Sequence, residues 1–440
     1  MKINLVSGST KLVKVTLPGE TTSQRLYSLD ALRGFDMFWI MGADEIFRSI
    51  AGATKSPFWQ TIADQLEHPA WNGFHFYDLI FPLFLFMAGV ATPFSVGREL
   101  EKGKTQKECL MRVIKRGLVL VILGLVTNNG LQLPVMLPIL CIVGVISLFN
   151  LSFKMVKPTL PAVGLGIALS VVLVWITSLI IGAGGESISV AGVRFGSVLG
   201  RIGLAYMFAN IIYIYTKKQS TQIIWFCSFI IGYWLLLKFT AAPGFAPGDL
   251  TQPGNFASYI DRVVLPGKLY LGNHDPEGLM STIPAISTGL LGILAGNYLK
   301  HSADSGSKKA GRFAITGVIF IAIALLWNLD FPINKNLWTS SFVMNVGGIS
   351  LLLLSLFYFV IDVKGYKKWA FFFKVIGMNS ILIYMSGHFI GWDHANNGFF
   401  QWLGQLLGNP YNAVAMAITY VGVKWAFLYF MYEKKVFLRV

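Results

Sequence analysis

His68, Trp71, Asn72 and Gly73 lead the string HPAWNGFHFYDLIFPLFLFMAG at positions 68–89, which turns almost wholly apolar after Tyr77 and Asp78. A neutral imidazole, with an unperturbed pKa of about 6.5, can take a proton from an attacking amine. The Asn72 carboxamide can donate to a developing oxyanion or to a sugar hydroxyl. Trp71 offers either a ring face for a sugar or an anchor at a membrane interface. Asp78 can hold the loop or accept from the imidazole. Three more strings carry related groups: LYLGNHDPEGLMSTIPAI has Asp275 and Glu277, FPINKNLWTSSFVMN has Lys335 and Asn336, and GMNSILIYMSGHFIGWDHANNGF has Asn379, His388, Asp393 and His394. Asp275 and Glu277 also suit the plainer task of capping a following helix after a Pro/Gly turn.

The elements that must position these groups are membrane helices. Of 440 residues 54% are hydrophobic and 13% charged, which excludes a soluble domain with a solvated face on every element. About 20 mainly apolar residues cross the roughly 30 Å of hydrocarbon in a bilayer. Such runs fall near 31–50, 76–97, 113–129, 133–153, 160–182, 196–216, 221–240, 279–299, 313–329, 340–360, 370–391 and 412–432. The expected fold is an all-α polytopic membrane protein with about twelve transmembrane helices (range 10–12). Residues 1–24 read as a short cytoplasmic tail without a cleaved signal peptide, and 25–440 as one transmembrane unit.

Charge placement sets the expected orientation, because cytoplasmic loops collect Lys and Arg. With both termini inside, 27 of the 36 basic residues fall on the inner side, 8 outside, and Lys424 within a span. Topology therefore accounts for the net charge of +15 without a nucleic-acid partner. The same orientation puts His68, Trp71, Asn72, Asp275, Glu277, Lys335, Asn336 and His388 on one outer face, around a single polar pocket. The bacterial inner (cytoplasmic) membrane is the expected location, with a homodimer left open. Cys109, Cys141 and Cys227 stand at no ligand spacing, so neither a disulfide nor a metal is expected.

The first apolar run, SLDALRGFDMFWIMGADEIFRSI, carries Asp30 and Arg33 at its inner end, Asp36 one turn in, and Asp44 toward the outer end. Ionisable groups at membrane depth normally face a cavity or a partner. Asp30 can instead cap the helix and pair with Arg33.

Six strings in order, SLDALRGFDM, HPAWNGFHFYDLIFPLFLFMAG, VRFGSVLGRIGLAYMFAN, DPEGLMSTIPAI, INKNLWTSSFV and GMNSILIY, resemble the transmembrane acyltransferases related to lysosomal heparan-α-glucosaminide N-acetyltransferase. The resemblance spans about 25–395. It implies acetyl-CoA as the cytosolic acyl donor, an amino sugar of a glucosamine-type glycan as acceptor on the far side, and a catalytic role for the histidine at His68. That histidine can act as a base on the acceptor or carry the acetyl group itself. Two departures are expected. Asp44 stands where the animal enzymes have an asparagine, so it can be the base or can orient His68. A helical hairpin is added at about 130–182, while the N-terminal luminal domain of the animal enzymes is missing.

A triphosphorylated donor stays on the basic side, where Arg33, Arg98, Arg112, Lys115 and Arg116 are the expected phosphate partners. Its pantetheine arm reaches roughly 20 Å, short of the full hydrocarbon core, so an acyl tunnel must meet an outer vestibule. Gly34, Gly42, Gly89 and Gly124 suit either close approach to that arm or helix packing. The main rival reading is a secondary transporter for a sugar or other small polar solute, since polar residues in glycine-interrupted spans are also its signature. A scaffold is the third.

Overall fold

The computed structural model describes residues 26–130, 135–136, 138–146, 191–216 and 218–438. The expected span at 133–153 lies only partly within those residues, and the span at 160–182, with most of the added hairpin, lies outside them. Among the described residues the principal helices are α1 Tyr27–Phe38, α2 Asp44–Thr54, α3 Pro57–Gln65, α4 Phe76–Glu101, α5 Gln106–Asn129, α6 Val198–Tyr215, α7 Gln219–Phe239, α8 Phe256–Val264, α9 Thr282–His301, α10 Gly306–Trp327, α11 Ser340–Val363, α12 Phe371–Met378, α13 Ser380–Ser386, α14 Trp392–Leu407 and α15 Tyr411–Glu433. Residues 138–146 are also helical, and no strand occurs among the described residues.

Seven of these helices, α4, α6, α7, α9, α10, α11 and α15, are long and apolar enough to cross a bilayer. The chain is an all-α integral membrane protein. Helix α5 forms where a span was expected, with Gln106, Lys107, Glu108 and Arg112 in its first two turns. A capping box starts it: the Glu108 N–H donates to Thr105 Oγ1 at 3.2 Å, and the Thr105 N–H donates to the Glu108 carboxylate at 2.9 Å.

Two expected spans are broken. The run at 31–50 is interrupted at Gly42, whose φ of 118° is open to glycine and costly for other residues. The carbonyl of Met41 at this break accepts from Lys424 Nζ of α15 at 3.0 Å. The run at 370–391 divides at Asn379, which binds the C-terminal segment instead of continuing the helix. Its Nδ2 donates to the Val436 carbonyl at 2.9 Å, and its Oδ1 accepts the Leu438 N–H at 3.0 Å. The expected outer loops at 51–74, 241–278 and 392–411 contain helices of their own, α3, α8 and α14.

Helices pack in pairs, α4 on α9, α5 on α6, α10 on α11 and α1 on α12. Glycines sit at these crossings. A Cβ on Gly89 would run into the Gly289 carbonyl, one on Gly34 into the Phe373 carbonyl, and one on Gly124 into Ser197 Oγ. Of the two uses open to these glycines, the structure employs helix contact. The core of Leu29, Leu32, Leu83, Phe86, Leu290, Phe342 and Leu354 lies between α1, α4, α9 and α11.

Candidate active site

One end of the bundle is closed by the segments joining α3 to α4, α7 to α9 and α10 to α11, and by residues 191–197 ahead of α6. His68 comes from the first of these, and its Nδ1 lies 2.6 Å from Oδ1 of Asp78, a fully buried carboxylate in the first turn of α4. The second Asp78 oxygen accepts the His75 N–H at 3.0 Å. Lys335, from the last segment, brings Nζ to 2.9 Å from His68 Nε2 and 3.6 Å from Asp78 Oδ1. Burial pushes the Lys335 pKa below the usual lysine range, against the pull of the Asp78 and Glu277 carboxylates. The His68 side chain is 45% exposed and Lys335 only 12%, so the imidazole is the member that meets solvent. A carboxylate at Nδ1 selects the tautomer that leaves the lone pair on Nε2.

Neighbouring contacts fix the loop that carries His68. The Gly73 N–H donates to the Ile333 carbonyl at 2.8 Å, and Asn334 Nδ2 donates to Asn72 Oδ1 at 3.0 Å. Trp71 Nε1 donates to the Leu250 carbonyl at 2.9 Å, and its ring meets the His274 ring edge-on at 5.1 Å. Trp71 and Asn72 thus tether the loop, with Asn72 still exposed.

A second charged cluster stands on the same end. Arg194 grips Asp275 with two parallel hydrogen bonds of 2.9 and 2.8 Å, and its guanidinium also bonds Glu277. The N–H groups of Tyr270 and Glu277 fill the remaining Asp275 acceptor sites at 3.2 and 3.0 Å. Burial opposes the Asp275 charge, but the Arg194 hydrogen bonds outweigh it and hold its pKa below the usual carboxylate range. Asp275, expected at the acceptor site, is instead fully buried and saturated, because the bidentate guanidinium takes both oxygens.

His274, next in sequence, is buried. Its Nδ1 lies 2.7 Å from Ser258 Oγ, and desolvation lowers its pKa to about 4.

The other expected residues are placed as follows. Asp44 pairs with Arg48 at 3.5 Å, and Arg48 donates to the Leu66 carbonyl, so its reach to His68 runs through the chain two residues upstream. Asn336 is half-buried in the segment beside Lys335, and His388 is exposed, its ring 6.1 Å from the Tyr384 ring. At the opposite end of the bundle, Arg33 lies 3.4 Å from Asp30. Arg112 is engaged by Glu99, and Arg116 turns inward over the Tyr206 ring at 4.7 Å. Lys115 is exposed and Arg98 half-buried. The expected donor-side group is therefore divided, because Arg112 and Arg116 have partners within the fold.

No protein-family model matches the chain. It is similar to heparan-alpha-glucosaminide N-acetyltransferase of Mus musculus, 26% identical over 478 residues that cover 96% of this chain and 61% of the relative. The protein of the same name from Homo sapiens is 27% identical over 470 residues, 94% of this chain and 60% of the relative. The chain is related to the heparan-alpha-glucosaminide N-acetyltransferases. It spans about three fifths of the length of these curated relatives.

The relation to the heparan-alpha-glucosaminide N-acetyltransferases does not by itself single out Arg194 or His274, and sequence reasoning missed both. Arg194 did leave a signal: an arginine at the mouth of an apolar span needs a carboxylate partner, and Asp275 and Glu277, assigned to the pocket or to a helix cap, were carboxylates on that face. His274 left none, since its burial is set by Trp71 and Ser258, distant in sequence.

Proposed function

We propose that the chain is a membrane-embedded acetyltransferase that moves an acetyl group from acetyl-CoA to the amine of an amino sugar. The acceptor sits at the outer vestibule around His68, and the donor arrives from the cytoplasmic side. The observation that carries this reading is the Asp78–His68–Lys335 cluster, which combines an oriented imidazole and a partly buried ammonium at one mouth of a helical bundle.

In the proposed reaction the neutral acceptor amine attacks the thioester carbonyl, forming a C–N bond as the C–S bond breaks. His68 Nε2 takes the amine proton and returns it to the departing thiolate, and Asp78 stabilises the imidazolium in between. The Lys335 ammonium faces the developing oxyanion, with Asn336 beside it as a second donor. Glu277, Asn72, Trp71 and His388 rim the acceptor pocket. Asp44 positions the His68 loop through Arg48. The nucleotide is assigned to the basic side chains of the opposite end, Arg98 and Lys115 on one flank. On the other, Lys374 and Lys435 line a cavity of about 440 Å³ with the Tyr27 and Tyr432 rings and the Asp30 and Glu433 carboxylates.

Purified protein in nanodiscs, given acetyl-labelled acetyl-CoA and a glucosamine-terminated oligosaccharide, is expected to place the label on the sugar amine. Uptake of the sugar into proteoliposomes with no acetyl transfer would replace this reading with the transporter.

A further inference from the structure

Helix α1 and the turn that follows it at Trp39 carry a row of buried polar atoms that the mechanism does not use. Both carboxylate oxygens of Asp36, Ser28 Oγ and Trp39 Nε1 are buried and find no hydrogen-bond partner among the described residues. Asp36 and Ser28 are 0% exposed. At 100° per residue the three side chains fall within one arc of about 80°. That arc includes Leu32 and adjoins Leu29, and both enter the core shared with α4, α9 and α11. The row is therefore aimed into the bundle. It runs roughly 16 Å along the axis, with about 12 Å from Ser28 to Asp36 and about 4.5 Å from Asp36 to Trp39. Its upper end adjoins the reacting groups: the Trp39 ring meets Phe76 edge-on at 5.1 Å, and the next ring, Tyr77, lies 5.2 Å from His68.

Leaving a buried polar atom unmatched costs about 1–3 kcal/mol, and more for a charge. A native helix with several of them in line calls for a matching ligand. A cation fits poorly: the row holds one carboxylate, an indole N–H points the wrong way for a positive ion, and no group of three His, Cys, Asp or Glu that could hold a metal occurs among the described residues. The row alternates acceptor and donor, which suits a slender chain that itself alternates N–H and C=O.

We propose that this face of α1 seats the amides of the donor's pantetheine arm, Asp36 accepting an amide N–H while Trp39 and Ser28 donate to its carbonyl and hydroxyl oxygens. This deepens the acetyltransferase reading and rests on it. The span of the row, close to the roughly 20 Å reach of the arm, carries the thioester from the nucleotide end to His68. Asp36 is thereby a binding and positioning residue.

Equilibrium binding to the full chain in nanodiscs tests this, with CoA, pantetheine and adenosine 3′,5′-bisphosphate as probes. Asp36→Leu is expected to weaken CoA and pantetheine roughly two- to ten-fold, the range for a hydrogen bond between neutral groups, and to leave the bisphosphate unchanged. Asp36→Asn, which keeps an acceptor oxygen, is expected to recover part of the loss. The unliganded Asp36→Leu protein is expected to unfold at the same temperature as wild type or higher, since an unmatched carboxylate has been removed. A lower unfolding temperature with unchanged pantetheine affinity would overturn the proposal and leave the acetyltransferase reading standing. Failure of wild type to bind CoA would remove that reading, and the proposal with it.

Discussion

The Asp78–His68–Lys335 and Arg194–Asp275–Glu277 clusters share one end of the bundle and a buried aspartate beside a cation, yet they are built to opposite ends. Arg194 and Asp275 meet through a planar fork, and four donor contacts satisfy the carboxylate. Nothing in that pair is left to react. In the other cluster the lysine is held below its usual pKa and the imidazole keeps almost half its exposure. Saturation makes a clasp, and incomplete saturation makes a centre that can exchange protons. Charge and burial alone do not separate the two; the count of unmade contacts does.

Substitutions can break this contrast. The largest effect is expected from His68→Ala, which should lower turnover by about 10²- to 10⁴-fold and leave the unfolding temperature within a few degrees of wild type. Wild-type turnover at saturating acceptor would erase the distinction between centre and clasp. Arg194→Ala should do the reverse. It strands the Asp275 and Glu277 charges and should cost about 3–5 kcal/mol of stability, read as loss of folded protein in detergent, while the fraction that folds keeps most of its turnover.

A third test uses pH. The folded-state pKa of His274 is lowered to about 4, below the unfolded value near 6.5, so the unfolded chain takes up the proton first. Its contribution is fully present above pH 6.5 and is lost as pH falls toward 4, by about 3 kcal/mol. His274→Gln should flatten the decline in unfolding temperature between pH 7 and pH 4.5; an unaltered slope would assign the acid sensitivity elsewhere. The smallest effect is expected from Asp44→Asn, which loosens the Arg48 tie to the His68 loop and should reduce turnover less than about ten-fold, the scale of one partly exposed ion pair. A dead Asp44→Asn enzyme beside an active His68→Ala would transfer the role of base to Asp44.

Hydrophobic runs made most of the fold legible, since a bilayer admits few alternatives to a helix of about 20 residues. The breaks were hidden. Gly42 and Asn379 interrupt apolar runs for reasons that lie in Lys424 and Val436, remote in sequence. In the site, His68, Lys335 and Glu277 could be placed on one face because topology follows from charge. Which carboxylate each cation would take could not be read. Asp275 resembled a ligand group until Arg194 was found across 81 residues, and Asp44 resembled a partner for His68 until Arg48 and Asp78 divided those tasks between them.

Sequence separation has a further consequence, measured in time. Lys335 and His68 are 267 residues apart, and ribosomes add about 5–20 residues per second. The first transmembrane helices therefore wait roughly 13–50 s before the lysine that completes the centre is synthesised. The Arg194–Asp275 clasp spans 81 residues and can close within roughly 4–16 s of the arginine's synthesis. During biogenesis the chain passes through a stage in which this end of the bundle is already braced and the His68 imidazole still lacks its cationic neighbour. A nascent protein in that stage is held together before it is able to act.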